Sequence, residues 1–179
     1  MKKNNHKVIE RMAKAAEQGG GLTVESGQTV THSTGYQVST DKASERIFQN
    51  PKAALMAAFR EQGPMFDAGL WKGPQGWYLD TSSQHFHDLH EALLIAYKAR
   101  QEGILRWSDM KTITFEKAVF FVPYDPDDGL PKGTFDSTAR LASFLGCSTT
   151  QAWRITHGLS EHSHFNVYVC FDDAFLDIE

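Results

Sequence analysis

Between Tyr36 and Trp107 the chain passes through strand-like and helix-like stretches in the order strand, helix, strand, strand, helix, strand, which confines it to an α+β architecture. Tyr36 and Val38 alternate with Gln37 and Ser39, the period of a half-buried strand. Asn50 before Pro51 places a cap ahead of a proline at the first helical position, and Leu55, Ala58, Phe59 and Gln62 then recur at helical spacing up to Gly63-Pro64. Phe66 to Trp71 and Trp77 to Thr81 flank Gly73-Pro74-Gln75-Gly76, a hairpin signal. Asp88 with Glu91 three residues on opens a second helix, whose apolar face is Leu89, Ala92, Leu93, Ala96 and Tyr97. Gly103 ends it, and Ile104 to Trp107 returns to strand. The expectation for residues 35–114 is a βαββαβ (ferredoxin-like) sandwich, one four-stranded sheet with two helices on one face.

Five blocks of this region carry a resemblance: Gly35-Tyr36-Gln37-Val38, Gly69-Leu70-Trp71, Gly76-Trp77-Tyr78-Leu79-Asp80, Asp88-Leu89-His90-Glu91-Ala92-Leu93 and Ile104-Leu105-Arg106-Trp107. Together they resemble a domain carried by many uncharacterised proteins of phages and mobile elements. The blocks are structural in character, so the resemblance implies no reaction. It implies a genomic setting in which small proteins often regulate or inhibit host defence.

On the N-terminal side, Val8, Met12, Ala15 and Ala16 lie close to one helical face among lysines, arginine and glutamates, so residues 1–18 read as an amphipathic helix. Gly19-Gly20-Gly21 stops it, and residues 19–34 read as a linker with a weak strand at Leu22 to Val24.

On the C-terminal side, residues 115–179 contain a pattern that resembles the helix-turn-helix of many phage and bacterial repressors. It runs from Ser137 to Gly158. Leu141 and Leu145 suit a shared core, Ala142 is small where two helices cross, and Gly146 falls where the turn needs a positive φ. Cys147 is a small apolar residue in the turn, and Ser148 with Gln151 makes a capping-box pattern for the second helix. Ala152 and Ile155 return to the core, leaving Thr149, Thr150, Gln151, Trp153 and Arg154 outward. In a DNA-binding version, the residues from Ser148 to Arg154 would reach base edges in the major groove. Val119 to Val122, before the motif, and Phe165 to Phe171, after it, read as strands that can pair.

Charge cuts against DNA. The chain has 18 lysines and arginines and 22 acids, a net charge of -4. Residues 115–179 hold ten of those acids and only four bases, Lys117, Lys132, Arg140 and Arg154. The first 114 residues are slightly basic, and Lys2, Lys3, Lys7, Arg11 and Lys14 gather in the first helix. Duplex DNA is bound largely through lysine and arginine displacing counterions.

Other constellations are thinner. His85, His87 and His90 have spacing that invites a metal, but they straddle a helix cap and need not converge. His162 and His164 beside Glu161 supply few ligands. Trp71, Trp77, Tyr78 and Trp107 suit either a core or a stacking platform for single-stranded nucleic acid. No phosphate-binding glycine loop, nucleophile elbow, His-Glu-x-x-His or Cys-x-x-Cys pair is present. No apolar run makes a signal peptide or membrane span, and Cys147 and Cys170 read as reduced thiols, so a cytoplasmic protein is expected.

These features point to a non-catalytic protein without cofactor that binds a host protein or protein–nucleic-acid complex, such as an inhibitor of a defence system. The alternatives are a transcriptional regulator reading double-stranded DNA and, third, a metal-dependent enzyme.

Overall fold

In the computed structural model, which describes residues 3–40 and 46–178, the α+β class holds but the strands divide differently from the expected single sheet. The elements in order are α1 (Lys3–Gly19), β1 (Gly21–Glu25), β2 (Gln28–Val30), β3 (Tyr36–Ser39), β4 (Arg46–Phe48), α2 (Pro51–Gln62), β5 (Ala68–Gly73), β6 (Gly76–Asp80), β7 (Ser83–Phe86) and α3 (Leu89–Lys98). They continue as β8 (Gly103–Arg106), β9 (Lys111–Thr114), β10 (Val119–Tyr124), α4 (Thr138–Leu145), α5 (Thr149–Thr156), β11 (Asn166–Phe171) and β12 (Asp177–Ile178).

The four strands read as one sheet fall into two. β5 and β6 join β1, β2 and β4 in an antiparallel sheet of order β2-β1-β5-β6-β4. β3 and β8 join β7, β9 and β12 in a second, of order β12-β9-β8-β3-β7. The stretch read as a linker supplies the β1–β2 hairpin, and β1 pairs along β5 with Gly21 opposite Trp71 and Val24 opposite Ala68. Pairing with a packed partner strand outweighs the weak strand propensity of Gly21, Glu25 and Gly27 in this stretch.

Local signals place the helices well. The Asn50 side chain accepts from the Ala53 amide at 2.8 Å and the Asp88 carboxylate from the Glu91 amide at 2.7 Å, each satisfying a first-turn N–H that has no partner within the helix. The buried stripe of α1 is Ile9, Met12, Ala13 and Ala16, one residue round from the expected stripe, with Val8 and Ala15 turned to solvent. The i, i+3, i+4, i+7 spacing of these four explains the choice: they make the continuous seam that meets α2 and β1.

Three cores result. Ile9, Val24, Leu55, Leu70, Trp77 and Leu79 fill the first sheet's layer under α1 and α2. Val38, Leu93, Ile104, Ile113 and Phe171 fill the second under α3. Phe121, Leu141, Ala142, Leu145, Ala152 and Ile155 form the third, between the β10–β11 ribbon and the α4–α5 pair. Tyr97, Val119 and Val169 belong to the margins of both the second and third cores and tie them together. Each fully buried leucine or isoleucine contributes about 1.5–3 kcal/mol of apolar transfer. In the second sheet, Gln37 is buried and hydrogen-bonded at both ends of its amide: its NH2 donates to Ser83 Oγ at 2.7 Å, and its carbonyl accepts from the Trp107 indole at 3.0 Å. Among the described residues no helix is long and apolar enough to cross a membrane. Cys147 and Cys170 are free thiols.

Candidate partner-binding face

The α4–α5 unit is built as its sequence indicates. The Ser137 hydroxyl accepts from the Arg140 amide to start α4, and Gly146 ends it at φ 66, left-handed backbone that costs a residue with a side chain about 1 kcal/mol. Ser148 Oγ then accepts from the Gln151 amide at 3.1 Å and starts α5. Leu141, Ala142, Leu145, Ala152 and Ile155 are all buried between the helices and the ribbon, and β10 pairs with β11 from Val119–Phe171 to Tyr124–Asn166.

The side chains expected to point outward do not all do so. Ser148, Thr149, Thr150 and Arg154 are exposed. Gln151 is half-buried, and its amide donates to Ser160 Oγ at 3.1 Å instead of reaching back to complete a capping box. Trp153 is also half-buried: it stacks on His157 with ring centres 4.1 Å apart, and the Arg100 guanidinium lies over the Trp153 ring at 4.4 Å. Two of the candidate readers on α5, Gln151 and Trp153, are therefore engaged with their own chain.

The electrostatics are equally constrained. Of the four cations in residues 115–179, Lys117 pairs with Asp177, Lys132 with Asp125 and Asp128, and Arg140 with Asp136. The Lys132 ammonium, through its hydrogen bond, holds the Asp128 carboxyl below the usual carboxylate value, and Asp128 raises Lys132 in return. Arg154 alone makes no ion pair among the described residues. Asp127 and Glu161 stay exposed without one.

Beside α4 lies a group of rings that the sequence pattern did not single out. Phe144 is 38 % exposed and packs against Phe135 at 5.0 Å and Phe165 at 5.3 Å, both half-buried. The signal for it was present: Phe144 occupies an outward position of α4, where an ordinary solvated helix would carry a polar residue. His162 stacks on Phe165 and donates through Nε2 to the Leu145 carbonyl at 3.2 Å, closing the end of α4. That contact accounts for His162, while His164 uses its backbone amide to donate to His162 Nδ1.

The other histidines go to structural roles. His85 stacks face to face with His32 at 3.8 Å, donates through Nε2 to the Thr34 carbonyl, and meets the edge of His87. His32 in turn donates to the Glu25 carboxylate at 3.0 Å. His90 stands apart, 3.7 Å from Asp173. The three histidines therefore do not converge, and among the described residues no group of three or more His, Cys, Asp or Glu is arranged to hold a metal. Gly35 sits at this seam because a side chain there would collide with the His85 ring and the Phe86 carbonyl. Trp77 and Trp107 are core residues, whereas Trp71 is 44 % exposed and lies parallel to Tyr78 at 5.9 Å on the first sheet's side away from its helices.

Comparison with known proteins finds no matching family model, no matching curated protein and no matching solved structure.

Proposed function

We propose that the chain is a non-catalytic binding protein whose acidic α4–α5 unit docks on a basic, nucleic-acid-binding surface of a partner protein. By occupying that surface it would exclude the partner's nucleic acid. The observation that carries this reading is the pairing of three of the four cations in residues 115–179 with carboxylates of the same stretch, which leaves Arg154 as the one cation there without an ion pair among the described residues. Duplex binders commonly neutralise about 6–10 phosphates, and one arginine supplies little of that counterion release. Exposed Asp127 and Glu161 complement a basic partner instead, and the Phe135, Phe144 and Phe165 rings offer the aromatic contact that protein interfaces favour. The setting of a phage or mobile-element accessory protein, acting on host defence, rests on the sequence resemblance over residues 35–108.

A capture experiment from bacterial host lysate tests it. A specific partner is retained at low salt, released by added duplex DNA, and lost with the variant Asp127→Lys combined with Glu161→Lys. A partner that DNA does not displace, or that the charge-reversed variant still holds, counts against occlusion. The second reading, a DNA-binding regulator, is favoured by the left-handed Gly146 turn, the Ser148 cap and the open side chains of Thr149, Thr150 and Arg154. It requires saturable duplex binding that Arg154→Ala abolishes.

A further inference from the structure

Arg100 is the feature from which this inference starts. It follows the last turn of α3 in left-handed backbone, φ 62, where glycine is the low-cost residue. Its amide donates to the Tyr97 carbonyl, and the next amide, of Gln101, donates to the Ala96 carbonyl, so the helix end is well formed in spite of that conformation. The arginine at this position sends its guanidinium over the Trp153 ring of α5. From there the rings continue: Trp153 stacks on His157 at 4.1 Å and His157 lies against Tyr97 at 4.5 Å. The ladder runs from Arg100, just beyond α3, to Tyr97 in its last turn, and clasps the end of α5 between.

Hydrogen bonds lock the same place. The Tyr97 hydroxyl donates to Thr156 Oγ1 at 3.2 Å, and Thr156 Oγ1 donates to the Trp153 carbonyl at 3.0 Å. His157 Nδ1 is 2.8 Å from that carbonyl, which can only accept, so Nδ1 carries the proton and Nε2 is the site left to protonate. A second proton puts a charge on a ring that is stacked on Trp153 and tilted against Tyr97, with the Arg100 guanidinium already over the Trp153 ring, so that two cations share one aromatic cluster.

We propose that this ladder is a proton-operated clasp: with His157 neutral it holds α5 against the end of α3, and protonation of His157 loosens it. The inference concerns how two parts of the chain are held together and does not depend on the partner-binding reading. The titratable and charged groups facing His157 are the Tyr97 phenol of α3 and the Arg100 guanidinium just beyond it; α5 contributes Trp153 and Thr156, and Phe121 of β10 lies against the Tyr97 ring. No carboxylate among the described residues pairs with His157 to favour its charged form. Burial lowers its pKa below the usual 6.5, opposed by the hydrogen bond to the Trp153 carbonyl and assisted by the Arg100 charge. Burial also raises the Tyr97 phenol above its usual 10.0, so it stays a neutral donor. Because the clasped pKa lies below the open one, the clasp's full contribution is present above pH 6.5 and falls as pH drops from 6.5 through the lowered value.

The test is a nuclear magnetic resonance titration of the full chain from about pH 7.5 to about pH 5.5, following the indole N–H of Trp153, assigned with Trp153→Phe. The Trp153 signal moves with a midpoint below 6.5; in His157→Phe, which keeps a stacked ring but no proton, it stays still. Arg100→Gly removes the facing charge and the left-handed strain together, and raises the midpoint toward 6.5. A Trp153 signal that does not move in the native chain, or that moves equally in His157→Phe, overturns the proposal. Should His157→Phe not fold, His157→Gln, which has no group that titrates in this range, takes its place: a Trp153 signal that stays still supports the clasp, and one that still moves refutes it.

Discussion

Along α1, Lys7, Arg11 and Lys14 stand exposed and make no ion pair among the described residues, whereas in residues 115–179 three of the four cations are each held by a carboxylate of the same stretch. The two helix pairs have similar architecture, α1 with α2 on one sheet and α4 with α5 on a ribbon, but opposite electrostatics. The cations that could attract phosphate lie on the pair without a helix-turn-helix shape. Of the two cations on the pair with that shape, Arg140 is held by Asp136 and Arg154 alone stays open among the described residues. Their cores share no residue, so α1 contributes none of the packing that supports α5. The lesson is that backbone shape and charge can point to different partners, and the proposed docking follows the charge, which acts before any side chain meets a base edge.

The largest effect with which to probe this comparison is a core truncation in each unit. Leu141→Ala and Leu55→Ala both empty fully buried sites, and each should cost about 2–5 kcal/mol in chemical denaturation. Because Tyr97, Val119 and Val169 join the second and third cores, Leu141→Ala should weaken α3's layer along with the α4–α5 unit in one transition. A separate early transition confined to α4 and α5 would make that unit an independent head and break the comparison.

The turn and the cap come next. Gly146→Ala forces a side chain into left-handed backbone and should cost about 1 kcal/mol. Ser148→Ala removes the α5 cap and should cost about 0.5–2 kcal/mol. Either loss read by denaturation with Arg154 chemistry unchanged separates shape from charge.

Much of the fold was readable residue by residue, and the exceptions have a common cause. Asn50, Asp88, Ser148 and Gly146 act over three or four residues, so their roles could be read directly, and the α4–α5 core positions followed from helical spacing. The division into two sheets could not be read this way. β4, β7 and β9 are only three or four residues long and carry arginine, glutamine, histidine and lysine, so their strand signal is weak; partners distant in sequence define them. The same holds for the candidate site. Thr149, Thr150 and Arg154 were correctly placed outward by spacing, but Gln151 is claimed by Ser160 and Trp153 by Arg100, contacts that no helical period reveals. His85 likewise meets His32 and Thr34 instead of its sequence neighbour His90.

Smaller effects sharpen the electrostatic half. Arg140→Ala breaks an exposed pair with Asp136 and should change stability by no more than about 0.5 kcal/mol, while making the unit one charge more acidic. Partner capture should therefore be retained or strengthened, and a weakened capture would contradict the charge reading. Asp128 adds a pH limit: its pKa is lowered by Lys132, so its contribution is present above 3.8 and lost only as pH falls below that value. The 125–132 loop should keep its native amide signals down to about pH 4, and Asp128→Asn should show its disturbance already at neutral pH.

The most direct test of the central claim is a titration of labelled duplex DNA with the full chain at low salt, repeated with Arg154→Ala and with Lys7, Arg11 and Lys14 all changed to alanine. The account predicts that any duplex binding is weak, is unaffected by Arg154→Ala, and disappears with the three α1 cations. Saturable binding that survives loss of those cations and is abolished by Arg154→Ala would contradict it.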